Sequence, residues 1–393
     1  MKVVSPCKNP TGSLSIEVDL REGADTIVFH FSDCNTARGK FNRFPTPRGV
    51  SNVYLNPANS NWYLDGLPDF ENLSTTVAAL KSLVRDAGAS QIVCIGSGMG
   101  AWGAAYIAPM LEAQIAILFS PELRLNCVGS ISSQSIALKG STVPTIHATS
   151  GCRYVMVAGM MSPCNIYSAA AFFGDADLST CYFIPWMGAA TDQELSRIGV
   201  LSQVIENVLS GRNSLLILDA MKFQNQASIA EFFVGREYNI NTIAAYIDRF
   251  EKEMDAETFV TGIVQDLINK KLYSCAFALL WSRFEKNSLS SNLKMMLLTA
   301  AGKAKKPAQV LRVADDILQE RGYRKDALFA KALALERLNR IPEARAEMSR
   351  LCVEYLQDPM FKVASKRLAE VLDPMAFHMH KPTYVPGFMS NTP

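Results

Sequence analysis

The chain has 393 residues, 49% of them hydrophobic and 19% charged, which suffices to fill the cores of two or three domains and excludes wholesale disorder. Mean hydropathy is +0.08, no apolar run approaches the ~18 residues of a membrane-spanning helix, and the start MKVVSPCKNPTGS has no secretory apolar core. The expectation is a cytoplasmic protein with no membrane span. Its net charge of +2 divides into −3 up to residue 235 and +5 beyond it, and because acids and bases interleave, no nucleic-acid partner is expected.

In chain order, seven β-rich runs stand between turn residues: Leu14 to Leu20, Thr26 to Phe31, Val53 to Leu55, Gln91 to Ile95, Gln114 to Phe119, Arg153 to Ala158 and Thr180 to Pro185. Apolar residues at three- and four-residue spacing predict helices over Leu73 to Asp86, Ala101 to Leu111, Ile166 to Phe173 and Asp192 to Leu209. Strands alternating with helices give an α/β fold with a mostly parallel sheet. Beyond residue 236 the strand signal ends and helix follows helix. Leu267, Lys271, Tyr273, Ala276 and Leu280 return as Leu335, Asn339, Ile341, Ala344 and Met348, two periods of 34 residues later. Val310, Ala314 and Ile317 fit a middle copy, although Lys294 and Lys305 match Leu328 and Asn339 poorly. The last unit, Leu328-x3-Ala332-x2-Leu335-x3-Asn339-x-Ile341-x2-Ala344, resembles a tetratricopeptide repeat. The expected domains are an α/β domain over 1–235, helical repeats over 236–373 and an irregular tail over 374–393.

Nine scattered cysteines without a Cys-x-x-Cys pair exclude a disulfide framework and a zinc ribbon. The four histidines show no metal-binding spacing, and His378 and His380 fall in the tail. No metal and no cofactor is expected.

Gln91-Ile92-Val93-Cys94-Ile95-Gly96-Ser97-Gly98-Met99-Gly100-Ala101 runs from a strand through a glycine-rich turn into a helix. This segment resembles the nucleophile elbow of the α/β-hydrolase family, Gly-x-Ser-x-Gly, in everything but its centre, where Gly98 stands for serine. An elbow holds its central residue in a strained conformation, which glycine adopts at little cost. The resemblance places the family's acid after the strand Tyr154 to Ala158, where the turn reads Ser162-Pro163-Cys164-Asn165, and its histidine after Tyr182 to Pro185, where the chain reads Trp186-Met187-Gly188-Ala189. The triad positions are thus Gly98, Asn165 and Ala189. In such enzymes losing the nucleophile alone costs about 10⁶ in turnover, so its partners are then free to drift. Ser97 sits at the variable position before the nucleophile, and Gly-x-Gly-x-Gly is not the dinucleotide spacing. Phe29-His30-Phe31-Ser32 and Asn59-Ser60-Asn61-Trp62-Tyr63 resemble segments of bacterial hydrolases that carry helical repeats, with Asn56 near an acid position.

The resemblance implies a catalytically inactive hydrolase-like protein that binds a ligand, a protein or both. Its ligand-binding residues would be the Met99 N–H at a helix N-terminus, suited to a small anionic or acyl ligand, with Ser97, Trp102 and Trp186 around it. The helical repeats would form a basic surface, supplied by Lys303, Lys305, Lys306, Arg324, Lys325, Arg337, Arg340 and Arg345, for an acidic segment of a protein partner. The alternative is an esterase or acyl hydrolase with a non-standard centre, drawing on His30, His147, Asp33, Ser97, Ser32, Cys94 or Cys164.

Overall fold

The computed structural model describes residues 15–355, apart from 35, 59–60, 129, 136–137, 139–142, 174–179, 212–214, 287–288 and 321–323, together with residue 363. The expected irregular tail, with His378 and His380, lies outside the described residues. All seven strands foreseen from alternation are present, their ends shifted by at most two residues: β1 Ile16–Asp19, β2 Thr26–Phe31, β3 Ser51–Leu55, β4 Gln91–Ser97, β5 Ile115–Phe119, β6 Arg153–Gly159 and β7 Cys181–Ile184. They form one sheet in the order β1-β3-β2-β4-β5-β6-β7. β1 runs antiparallel to β3, and every other pairing is parallel.

Helices flank this sheet, so both faces are dry and β5 is buried at every position. They are α1 Leu73–Ala87, α2 Met99–Leu111, α3 Pro163–Phe173, α4 Thr191–Arg197, α5 Leu201–Leu209, α6 Leu216–Met221, α7 Gln226–Phe233, α8 Ile240–Phe250 and α9 Ala256–Asn269. On one face Val28, Val93, Ile95, Ile117, Val155 and Val157 pack on Leu195, Leu201, Val204, Ile205 and Val208 from α4 and α5. The single helix expected over Asp192 to Leu209 is two, because Gly199 takes a left-handed φ of +78° and accommodates the bonds Gly199 N to Ser196 O and Val200 N to Leu195 O that close α4.

Two compact units divide the chain, Met1–Leu272 and Tyr273–Pro393. The composition shift near residue 235 therefore falls inside the first unit. There the Tyr246 hydroxyl of α8 donates to Met160 O beyond β6 (3.1 Å), and Lys270, just past α9, reaches Ser162. The second unit is helical: α10 Tyr273–Glu285, α11 Ser291–Lys303, α12 Pro307–Gln319, α13 Arg324–Arg337 and α14 Ile341–Glu354, each packed on the next. α10, α12 and α14 begin 34 residues apart. The turn residues Lys305 and Asn339 both adopt a left-handed φ, of +57° and +59°, as does Lys271 at +59°, so Lys305 takes the same backbone form as Asn339 despite its different side chain. Ala276, Val310 and Ala344 are buried at the same 34-residue interval.

Candidate functional site

β4 ends at Ser97 and α2 begins at Met99, leaving Gly98 alone to turn the chain. Its φ of 56° and ψ of −119° lie where a side chain is strained. Small residues let the helix come this close: a Cβ on Gly100 would stand 2.2 Å from Phe31 O, so α2 starts directly over the end of β2. Since Phe31 pairs with Gly96 across β2 and β4, the loop after β2 delivers Asp33 beside Gly98.

Asp33 fills the space that a side chain at position 98 would enter. Its Oδ1 lies 2.6 Å from the position of a Cβ on Gly98 and accepts the Met99 N–H at 2.9 Å and the Cys34 N–H at 2.8 Å. The donors that a Gly-x-Ser-x-Gly elbow offers to a developing oxyanion are the N–H after the nucleophile and an N–H from a neighbouring βα loop. In this chain the N–H that follows Gly98 already donates to Asp33 Oδ1, alongside the Cys34 N–H from the loop after β2.

Asp33, Gly98, Asn165 and Ala189 line one cavity of about 450 Å³, with Ser97, Ser120, Glu122, Asp192, Asp266 and Lys270 also on its walls. The Ser97 hydroxyl donates to Asp192 Oδ1 at 2.8 Å; burial above all, with the nearby Asp33 charge adding, pushes the Asp192 carboxyl above the ordinary range. α4 is moored here, because the Thr191 N–H donates to Ser120 Oγ (2.8 Å) and Ser120 N–H donates back to Thr191 Oγ1 (3.0 Å). Glu122 is buried, and burial raises its carboxyl despite the N–H groups of Ile131 (3.0 Å) and Ser132 (2.7 Å) that it accepts. Burial opposes the charge of Lys270, yet Asp266, 2.7 Å from its Nζ, and Cys164 and Glu122 nearby leave its pKa raised. Both members of that pair are shielded, with side-chain exposures of 7% and 10%.

The three positions Gly98, Asn165 and Ala189 read from sequence thus meet at one cavity with Ser97, but three of the expected ligand residues, Met99, Trp102 and Trp186, do not line it. Trp102 is fully buried, its ring 4.6 Å from that of Tyr106, and no residue of α2 is among those that line the cavity. Trp186 is 42% exposed and lines a separate hollow with Met161, Pro185, Phe223, Met254 and Phe259. Met99 N–H is engaged by Asp33 rather than free for a ligand. No histidine is among the cavity's lining residues. His30 is held inside the sheet, Nε2 facing Asn52 Oδ1 at 2.9 Å and Nδ1 accepting Phe44 N–H at 3.2 Å, and burial lowers its pKa to about 4. His147 is exposed. Cys94 is buried within β4. Asn56 caps a loop, donating to Ala37 O and Lys40 O. Sequence reading missed Asp192, Glu122, Asp266 and Lys270; a carboxylate two residues past β2 was the available signal for Asp33's position, whereas Lys270 reaches the cavity from a helix that composition had assigned elsewhere.

The fold is thus a mostly parallel α/β sheet flanked by helices and followed by a helix-rich region, with a strand–turn–helix elbow at its centre. No family model matches the chain, and no curated protein does. Among solved structures it is similar to XC6422 from Xanthomonas campestris, described as a member of the a/b serine hydrolases without a lid, at 15% identity and a TM-score of 0.31, over 50% of this chain and 90% of that one. Among the described residues no helix is long and apolar enough to cross a membrane.

Proposed function

We propose that this chain is a catalytically silent hydrolase-like protein that binds rather than converts its ligand. The observation that carries this reading is Asp33 Oδ1, 2.9 Å from Met99 N. Catalysis of acyl transfer requires backbone donors free to receive an oxyanion at about 2.7–3.1 Å, and a carboxylate already there both occupies those donors and repels a second negative oxygen. Gly98 supplies no hydroxyl, Asn165 no charge and Ala189 no base. An anionic or acyl ligand reaches the Met99 N–H only by displacing Asp33; without that displacement, the cavity suits a small polar ligand that donates to Asp192 and Glu122. The full chain is expected to hydrolyse no activated acyl ester and to take up no serine-directed fluorophosphonate. Stoichiometric labelling of any residue lining the cavity would overturn the reading.

The second unit, on this proposal, is a tetratricopeptide-like array that takes an acidic segment of a protein partner. The 34-residue recurrence of helix starts and left-handed turns supports it. Several of its bases are already used: Lys294 pairs with Asp316 and Glu320, Lys331 with Asp315 and Glu347, and Arg340 with Glu343. The exposed Lys303, Lys305 and Lys306 at the α11–α12 turn are then the chief attraction. Immobilised poly-glutamate should retain the full chain at low salt, and the variant carrying Lys303→Glu, Lys305→Glu and Lys306→Glu should elute earlier. Retention that ignores both salt and the substitutions would refute it.

A further inference from the structure

A second hollow, of about 250 Å³, shares no lining residue with the cavity at the elbow. Arg124 and Arg236 line it together with Tyr167 and Ala171 of α3 and Ala230 and Phe233 of α7. The Arg124 Nε–H is buried and has no hydrogen-bond partner among the described residues, although a buried donor on a charged group is costly to leave unpaired. Its backbone is anchored, because the Arg124 N–H donates to the Ser168 hydroxyl of α3 at 3.2 Å. Arg236 arrives just past α7, where Gly235 turns the chain at a φ of +68° and the Arg236 N–H donates to Phe233 O at 3.2 Å. Its guanidinium lies 4.5 Å from the centre of the Phe232 ring. A cation over a ring is held without a hydrogen bond, so its N–H groups stay available for an acceptor. Among the described residues neither guanidinium belongs to an ion pair, in contrast to Arg43, Arg197 and Arg249, each of which has a carboxylate.

The rest of the wall is apolar. Tyr167 stands edge-on to Phe233, with ring centres 5.6 Å apart, and stacks on Tyr238 at 4.8 Å, so the rings brace one another. Ala171 and Ala230 leave the space open by their small size, and Val234 beside them keeps 71% of its surface exposed. We propose that this hollow binds a monocarboxylate with a small aromatic or branched apolar body, its two oxygens held by Arg124 and Arg236 and its body laid against Tyr167 and Phe233. Guanidinium forks match the paired oxygens of a carboxylate. The apolar wall favours an anion whose other end is apolar over a bare inorganic one, since only the former takes apolar surface out of water. Size agrees: a cavity of about 150 Å³ holds a benzene molecule, so this hollow has room for a ring of that size and a carboxylate. The site is independent of the catalytic silence proposed for the elbow.

The test is calorimetric titration of the full chain with sodium benzoate, with benzamide as the uncharged isostere and inorganic phosphate as the anion without an apolar body. Benzoate should fill one saturable site with a dissociation constant at or below about 1 mM, and benzamide and phosphate should each bind at least about tenfold more weakly. Arg236→Gln, at an exposed position, should keep the fold by circular dichroism and lose at least about tenfold in benzoate affinity. Ala171→Leu, which fills the hollow and leaves both charges in place, should lose as much. Arg124→Gln should behave like Arg236→Gln, and where it fails to fold the other two variants decide. No saturable uptake of benzoate at about 10 mM, phosphate bound as tightly as benzoate, or an unchanged affinity in Arg236→Gln or Ala171→Leu would overturn the proposal.

Discussion

In the sheet unit Thr26 bonds to Gln91, 65 positions along the chain (2.8 Å), whereas in the helical unit the same arrangement of helix and turn returns every 34 residues. The first plan needs distant segments in register before anything is buried; the second builds from neighbours. Their charges follow the same division. The sheet unit encloses a lysine, a histidine and a glutamate in its interior, while the helical unit sets its ion pairs on flanks where the lysine partners of Asp315 and Glu320 keep 22% and 14% exposure. The difference teaches where each unit is vulnerable: the sheet unit through single buried groups, the helical unit only through many small ones.

Lys270→Met should break this contrast most severely. It leaves Asp266 buried without its cation and removes a favourable charge from Glu122, and loss of one partner of a buried pair costs about 3–5 kcal/mol. Hydrogen exchange followed by mass spectrometry should show protection lost across the sheet unit and retained in α11 to α14; equal loss in both would mean the units do not respond separately.

Acid should discriminate the units next. The pKa of His30 falls from 6.5 in the unfolded chain to about 4 in the fold because burial disfavours its charge. Below pH 6.5 the unfolded chain takes up a proton that the fold refuses, so this contribution is present above 6.5 and is lost progressively as pH falls to about 4, amounting to about 3 kcal/mol. In the helical unit the hydrogen bond from Lys294 lowers Glu320 below its ordinary 4.5, and its stabilisation persists until pH falls through that lower value. Urea unfolding should therefore show the sheet unit weakening first, with His30→Gln flattening that slope. An unchanged slope in the variant would assign the acid sensitivity to other groups.

Gly98→Ala tests the elbow. Its Cβ meets Asp33 Oδ1 at 2.6 Å and forces a side chain to a φ of +56°, a cost of about 1–3 kcal/mol. Asp33→Gly should return part of it, with a coupling of at least about 0.5 kcal/mol in a double-mutant cycle; strict additivity would show that Asp33 is not the obstacle. The smallest effect belongs to the helical unit, where Lys305→Gly at a φ of +57° should raise stability by up to about 1 kcal/mol and slow exchange only around α11 and α12.

These two plans also explain what was legible in the residues. Alternation of Val, Ile, Phe and Tyr revealed all seven strands because each is flanked by turn residues, and the glycines around Ser97 gave the elbow because a close strand–helix crossing tolerates little else. The period of 34 was legible through Ala276 and Ala344, since a helix crossing constrains side-chain size. The split between α4 and α5 hung on one glycine inside an otherwise continuous apolar pattern. Trp102 and Trp186 misled because an aromatic ring fits a core, a surface hollow or a ligand wall equally well. The charged cavity residues were hidden for a different reason: Asp192, Glu122 and Lys270 acquire partners only when β4, β5 and α9 are brought together, and no local pattern encodes that meeting.

Asp33 has a consequence for the history open to this fold. A serine at position 98 would enter a space already held by a carboxylate oxygen, while removing Asp33 alone would free the Met99 and Cys34 N–H groups without supplying anything for them to serve. Each single change carries a structural loss and no chemical gain. Bringing a hydroxyl at position 98 to bear on those N–H groups therefore takes both changes together, so the carboxylate sets a divide at this turn that point substitutions cross only in pairs.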